Sequence, residues 1–275
     1  MFSHQITNSI GDDIYNAFVY RNTEWMTHLH KSFEFLYVLE GGVTAQVEEQ
    51  EYPLEAGDCL MVTPYQLHAY STPEYSRCLV VVFAGSYVDS FQRMIANREA
   101  ESPVFHLQEG LRLYLESVLL SEPEDNGDAV LAIPKPERLT LKACLYAVCA
   151  EFIAQTQLKE RPRDNRLIFE ILSYVENHFT QDISLYTLSD ALGYDYRYLS
   201  RLFNQTLKIS FKTLVNQYRC DRAKALIAST DETLAEVALT SGFQSIRSFN
   251  RVFKQTTGVM PSQIRRSERI EQSQG

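Results

Sequence analysis

The sequence predicts an α+β chain of two unlike parts: a small antiparallel β-barrel with flanking helices at the amino end, and an all-α half of two helix-turn-helix units at the carboxy end. Three observations predict it. From about Asn16 to Phe83, short runs (FVYR, FEFLYVLEGG, VTAQVEEQEYPL, DCLMVTP, RCLVVVFAG) rich in β-branched and aromatic residues are separated by Gly, Pro or charged breaks. After Ser184, one pattern of small-residue helix, glycine, aromatic residue, polar cap and second helix occurs twice. The charge is also divided, with 12 Lys and Arg against 24 Asp and Glu in residues 1–164, and 14 against 11 in residues 165–275.

At 275 residues and 45% hydrophobic, the chain is long enough for two buried cores. A net charge of −9 argues against nucleic acid when taken over the whole chain, but the acidity belongs to the amino-terminal part. Cys59, Cys78, Cys144, Cys149 and Cys220 form no CxxC pair and leave one over, which speaks against a secreted disulfide framework. The start, MFSHQITNSIGDD, has no basic cluster followed by an apolar run, and LVVVF is far too short to cross a bilayer. A soluble, cytoplasmic protein without membrane association is expected.

In chain order, Val43, Ala45 and Val47 alternate with polar neighbours, so this strand buries one face. The Gly41-Gly42 pair predicts a tight hairpin. Such strands suit a barrel or jelly roll whose mouth takes a small ligand. From Tyr87 to Ser121 the pattern turns helical (SYVDSFQRMIANRE, then LRLYLESVLL), with a break at SPVFHL. SEPEDNGDAVLAIPKPE reads as an exposed loop. The next helix carries an apolar stripe, Leu141, Cys144, Leu145, Val148 and Phe152, to be buried either under the barrel or against a second copy of the chain. LKERPRDN reads as a linker, with Pro162 barring helix continuity.

In the carboxy-terminal half, NRLIFEILSYVENHF places Leu167, Ile171, Tyr174 and Val175 to pack against the first helix-turn-helix. If the second helix of each unit starts at its cap, Asp195 or Ser245, then Leu199, Leu202 and Phe203 form one apolar seam, and Phe249, Val252 and Phe253 the other. Opposite the seams lie Arg197, Ser200, Arg201 and Asn204, matched fifty residues later by Arg247, Asn250, Arg251 and Lys254. Arg forks onto guanine O6 and N7, Asn onto adenine, and Lys or Ser onto phosphate. Arg197, Ser200, Arg201, Arg247, Asn250 and Arg251 are therefore assigned to base edges, and Asn204, Lys254 and the cap Ser245 to the DNA backbone. An ordinary solvated face also carries Arg and Lys, but it gives no reason for the repetition. Between the copies, a helix of roughly 18 residues starting at the Ser210 cap would span roughly 27 Å, comparable with the roughly 34 Å rise of one duplex turn. Arg219 and Arg222 on it read as structural or phosphate-facing, and Pro261 opens a last helix ending near Arg269.

The two glycine turns, LSRLF and FNRVF, RCDRAKALI between them and TTGVMPSQIRR at the end make residues 165–267 resemble the DNA-binding domain of AraC-type bacterial transcription regulators. One departure is Lys208, which stands where the second copy has Gly258. In the barrel, HLHKSFEFLYVLEG and GDCLMVTPYQLH resemble the two cupin motifs, which in cupin enzymes supply three His and one Glu to a metal. Here the set is His28, His30, Glu34 and His68; on one strand, the even spacing of the first three would turn them to one face. Three readings stand side by side: a metal-free effector pocket with Trp25 at its edge, a divalent-metal centre, and structural histidines. The resemblance implies the first, with no cofactor, and Trp25, Tyr37, Tyr65 and Tyr70 as either sugar-stacking or core aromatics.

The resemblance further implies three segments: 1–85, a cupin-like sensing barrel; 86–160, a helical dimerisation segment; and 161–275, the DNA-binding domain. The function expected is sequence-specific DNA-binding transcription regulation, controlled by a small molecule such as a sugar. The partners are double-stranded DNA, the small-molecule effector and a second copy in a homodimer, with RNA polymerase as a further candidate. The alternative is a metal-dependent cupin enzyme fused to a DNA-binding half.

Overall fold

A computed structural model describes residues 3–4, 14–120, 129–161, 163–207 and 209–265. The chain divides into two compact units, Met1–Arg166 and Leu167–Gly275.

The first unit is a curled, mainly antiparallel sheet. Its strands are β1 (Ser3–His4), β2 (Tyr15–Arg21), β3 (Trp25–Leu29), β4 (Phe33–Val47), β5 (Gln50–Glu55), β6 (Asp58–Val62), β7 (His68–Ser71) and β8 (Ser76–Phe83). After helix α1 (Asp89–Ile95) come β9 (Arg98–Ala100), β10 (Val104–His106), helix α2 (Glu109–Leu119), β11 (Val130–Ala132), helix α3 (Arg138–Gln155) and β12 (Leu158–Glu160). The main order is β1-β3-β7-β4-β8-β2-β11, with β5 and β6 also on β4, β10 on β6, and β12 paired with β9 as a separate ribbon.

β4 organises this unit. Its first half pairs with β6 and β8, and its second half with β5 and β7. The Gly41-Gly42 pair therefore does not make the expected hairpin; it bends one continuous strand from one sheet layer into the other. Gly41 has φ +70°, and a Cβ there would collide with the carbonyl of Tyr75. That is a close backbone approach that only glycine permits. The hairpin lies six residues on, where Glu48 takes φ +53°.

Period-two alternation along β4 feeds two cores. Phe33, Phe35 and Tyr37 enter the core shared with Phe91, Phe105, Leu115 and the α3 stripe Leu141, Leu145, Val148 and Phe152. That stripe is thus covered by its own unit. Leu36 and Val38 join Val43, Ala45, Val62, Tyr70 and Val80 in the core on the opposite face of the sheet. Two other expectations change. Within the predicted loop, Val130–Ala132 pairs with β2 as an edge strand, while residues 121–128 lie outside the described residues. Within the predicted linker, Leu158–Glu160 pairs with β9, and Pro162 is not described.

The second unit is helical: α4 (Arg163–His178), α5 (Leu185–Leu192), α6 (Tyr196–Leu202), α7 (Phe211–Ser229), α8 (Leu234–Thr240) and α9 (Ile246–Thr257), with a helical turn over 261–265. Capping residues set the starts. Ser184 and Thr233 form capping boxes with Thr187 and Glu236, while Asp195, Ser210 and Ser245 accept from backbone N–H groups of α6, α7 and α9. α7, at 19 residues, is about 28 Å long.

The two turns are closed differently. Gly193 (φ +70°) ends α5 with one bond from its N–H to Ser189 O. At the end of α8, Gly242 N–H reaches Leu239 O and Phe243 N–H reaches Ala238 O, a Schellman motif. The second helices of the two units differ as well. α9 runs unbroken to Gly258 (φ +81°), whereas α6 passes into a π-helical turn over Phe203–Leu207. Lys208, and the expected continuation from Arg266 to Arg269, lie outside the described residues.

Candidate functional site

His28, His30, Glu34 and His68 converge in the interior of the first unit, no more than 1% exposed. They do not share one strand. His28 lies near the end of β3, His30 sits in the turn to β4, Glu34 lies in β4, and His68 opens β7 directly opposite His28. One potential ligand atom from each lies within 4.8 Å of the other three.

The outer nitrogens of all three rings are fixed alike. Nδ1 of His28 donates to Met26 O (2.9 Å), that of His30 to Ser32 O (3.0 Å), and that of His68 to Gln66 O (2.9 Å). A carbonyl can only accept, so each Nδ1 carries the proton and, in the neutral ring, each Nε2 presents a lone pair inward. Among the described residues, His28 Nε2 and His68 Nε2 have no hydrogen-bond partner. His30 Nε2 stands 3.1 Å from Glu34 Oε2 and His68 Nε2 stands 3.7 Å from it. The other carboxylate oxygen, Oε1, accepts from Tyr70 OH at 2.5 Å.

Burial, reinforced by neighbouring His68, pushes His28 down to about 4, and burial likewise lowers His30. For Glu34 burial acts upward, but His68 and the hydrogen bond from His30 outweigh it and hold the carboxyl well below its usual range. With His30 Nδ1 already donating to Ser32 O, the 3.1 Å contact between His30 Nε2 and Glu34 Oε2 needs a second proton or a cation between the two atoms. Either a proton sits on an imidazole whose burial disfavours it, or a cation accepts both.

The four side chains fit a divalent transition metal. Three imidazole nitrogens with carbonyl-anchored Nδ1–H groups and one hydrogen-bonded carboxylate form such a donor set with its outer shell in place. The metal would be held by Nε2 of His28, His30 and His68 and by Glu34 Oε2. When bound it would supply a Lewis-acid charge and a cross-link between β3, β4 and β7. The donor atoms of His28, His30, Glu34 and His68 stand close together, and the space for a larger ligand lies beside them at Trp25. Tyr37, Tyr65 and Tyr70 are buried, and Trp25, half-buried, packs its ring 5.3 Å from His28 and lines an outer groove with Met26, Thr44, Gln46 and Tyr70. The role of Tyr70 on Glu34 was missed, although its position two residues after His68 on a strand puts both on one face.

In the second unit, Leu199, Leu202 and Phe203 are buried, as are Phe249, Val252 and Phe253, which pack on Cys220, Ala223, Leu226, Val237, Ala238 and Phe243. Burying these seams turns the opposite faces outward. Arg197, Arg201, Asn204, Arg247, Arg251 and Lys254 are exposed, and Ser200 and Asn250 half-buried. Among the described residues, the four arginines and Lys254 make no ion pair with a carboxylate. Ser245 is exposed and its hydroxyl accepts from Ser248 N (3.2 Å) as the cap of α9. Arg219 is committed internally, with Nε donating to Phe179 O (2.7 Å) and Nη2 to Gln181 O (2.8 Å).

The architecture is that of a cupin-like curled sheet followed by a double helix-turn-helix. Residues 22–83 match the cupin domain family and residues 188–267 the helix-turn-helix domain family. An uncharacterised HTH-type transcriptional regulator of Staphylococcus aureus is 38% identical over 96 residues, 35% of this chain and 13% of the relative. The uncharacterised regulator YisR of Bacillus subtilis is 31% identical over 101 residues, 37% of this chain and 35% of the relative. The chain thus spans well under half the length of these relatives. Unsaturated fatty acid bound ToxT of Vibrio cholerae has a similar fold (TM-score 0.54, 14% identity, 92% of this chain and 94% of that one). The chain thus carries a cupin domain followed by an AraC-type helix-turn-helix domain. Among the described residues, no helix is long and apolar enough to cross a membrane.

Proposed function

We propose that this chain is a sequence-specific, double-stranded-DNA-binding transcription regulator, not an enzyme, whose DNA affinity depends on what its amino-terminal unit holds. The observation that carries the reading is the pair of outward basic faces on α6 and α9, set at equivalent helical positions by equivalent seams and caps. Arg197, Ser200, Arg201, Arg247, Asn250 and Arg251 read base edges, while Asn204, Lys254 and Ser245 meet the backbone. A face of bidentate donors without carboxylate partners suits phosphate and guanine better than it suits a protein surface.

The effector acts through differential affinity for two arrangements of the protein. Two chemistries are open to it. A sugar or related metabolite would enter beside Trp25, and ToxT, bound to a fatty acid, shares the fold. The closed His28, His30, Glu34 and His68 centre favours a divalent metal ion instead. A homodimer is consistent with the family pattern and with exposed Leu113, Leu139 and Tyr146 on α2 and α3; RNA polymerase would be met by the DNA-bound form.

The test is selection of bound sequences from random duplex DNA by the full chain, with and without a panel of divalent metals and sugars. Enrichment of one motif, altered in affinity by one panel member, is the expected outcome. Retention of DNA without any enriched motif would defeat the reading. The complete ligand set also favours a rival, a metal-dependent enzyme tethered to DNA; turnover lost with the metal in a His28→Ala, His30→Ala double variant would establish it.

A further inference from the structure

The turn joining β6 to β7, residues 63–67, touches the buried centre on one side and Arg161 on the other. On the inner side, Tyr65 N–H donates to His30 O (2.8 Å) with Tyr65 in a left-handed conformation (φ +63°). His68 Nδ1 donates to Gln66 O (2.9 Å), so two of the four ligand residues hang on this turn. The turn is braced within itself, since Gln66 Oε1 accepts from both the N–H and the hydroxyl of Thr63 at 2.8 Å, and Thr63 is buried.

On the outer side, Arg161 Nη2 donates to the same Thr63 hydroxyl oxygen at 3.3 Å, while Arg161 N–H is pinned to Asn97 O at 3.0 Å. Glu48 completes the contact. Its carboxylate accepts from Leu67 N–H (3.3 Å), its own N–H donates to Leu67 O (2.7 Å), and with Glu99 it supplies the negative charge that faces Arg161. Arg161 directly follows β12, and α4, which begins at Arg163, leads from the first unit into the second.

We propose that the 63–67 turn and Arg161 form the coupling device of this protein. A divalent metal on His28, His30, Glu34 and His68 fixes the turn, the fixed turn holds Arg161, and the held Arg161 restrains the segment that enters α4 and so sets DNA affinity. The inference rests on the reading of the centre as a metal site and adds how its state leaves the sheet. His68 Nε2 stands 3.7 Å from Glu34 while its Nδ1 hangs on Gln66 O, so an ion that draws the ring towards Glu34 pulls on the turn. A doubly braced turn with one residue at positive φ passes such a shift on as a whole instead of absorbing it. Two sites linked in this way change each other's affinity by a common factor, typically about 5- to 150-fold.

The experiment uses the full chain, stripped of metal and then loaded with cobalt(II). Stoichiometry is read from ligand-field absorption and from the fluorescence of Trp25, the single tryptophan, whose ring lies beside His28. DNA affinity is read by anisotropy on a duplex selected with the wild-type protein. In the wild type, one equivalent of cobalt should shift DNA affinity by about fivefold or more. Arg161→Ala should still bind cobalt at one equivalent, yet its DNA affinity should be the same with and without the ion and equal to that of metal-free wild type. Thr63→Val, which removes the acceptor and keeps the turn's size, should behave likewise and serves if Arg161→Ala misfolds. A wild-type response to cobalt in both variants would overturn the coupling, as would cobalt binding to the wild type with no change on DNA. No ligand-field band in the wild type would overturn the metal centre itself, and the coupling with it.

Discussion

Gly193 and Gly242 close equivalent turns at positive φ, and replacing each by alanine separates backbone strain from packing. At Gly193 an added Cβ meets nothing within 4 Å, so the whole cost is that of an L-residue at φ +70°, roughly 1–2 kcal/mol. At Gly242, φ is +88° and the Cβ would lie 2.6 Å from Thr180 Cα and 2.9 Å from Thr180 O. Carbon atoms in good contact stand about 3.5–4.0 Å apart, so close to 1 Å of overlap falls on main chain that cannot rotate away. Relieving such overlap costs a further ~1–3 kcal/mol, giving roughly 2–5 kcal/mol in all. The displacement would tilt α9 on α8, because Phe243 N–H, bonded to Ala238 O, sits in the same turn. Guanidinium unfolding of the full chain, followed by far-ultraviolet circular dichroism for the helical unit and by Trp25 fluorescence for the other, measures both costs. Gly193→Ala should lose about 1–2 kcal/mol and keep DNA affinity near wild type. Gly242→Ala should lose more and bind DNA weakly. Equal losses, or a larger loss at Gly193, would refute the reasoning.

Arg247→Ala should cost about 1–3 kcal/mol on the selected sequence and relax preference at one base pair, whereas Lys254→Ala should weaken all sequences alike and flatten the salt slope by about one unit; equal losses on selected and random DNA for Arg247→Ala would count against base contact. Tyr70→Phe leaves Glu34 Oε1 buried without its donor, and the first unit should lose about 1–3 kcal/mol in the Trp25-monitored unfolding curve. A divalent metal at 100 times its Kd should stabilise that unit by about 2.7 kcal/mol, a gain expected to vanish in His28→Ala, His30→Ala.

The helical half was largely legible because its signals are local and occur twice: caps at Asp195, Ser210 and Ser245, glycine after each first helix, and seams at helical spacing. Strand pairing was less legible, since it depends on partners far along the chain. Gly41-Gly42 has the composition of a hairpin, and only the approach of Tyr75 shows it to be a bend inside β4. Val130–Ala132 and Leu158–Glu160 are three-residue edge strands that owe their form to β2 and β9, not to their own propensity. Periodicity found the α3 stripe but left its partner open, and the partner is Phe91, Phe105 and the adjoining sheet. The four residues of the centre were identifiable from their motifs. The tautomer locks at Met26, Ser32 and Gln66 are carbonyl contacts that residue types do not encode.

The central claim is that two matched faces, joined by the 19-residue α7, grip one side of one duplex. Hydroxyl-radical footprinting of the full chain on its selected sequence measures this directly. Two protected patches about one helical turn, roughly 10 base pairs, apart on a common face are predicted, one lost on Arg197→Ala with Arg201→Ala and the other on Arg247→Ala with Arg251→Ala. A single patch, or two on opposite faces of the duplex, would contradict the account.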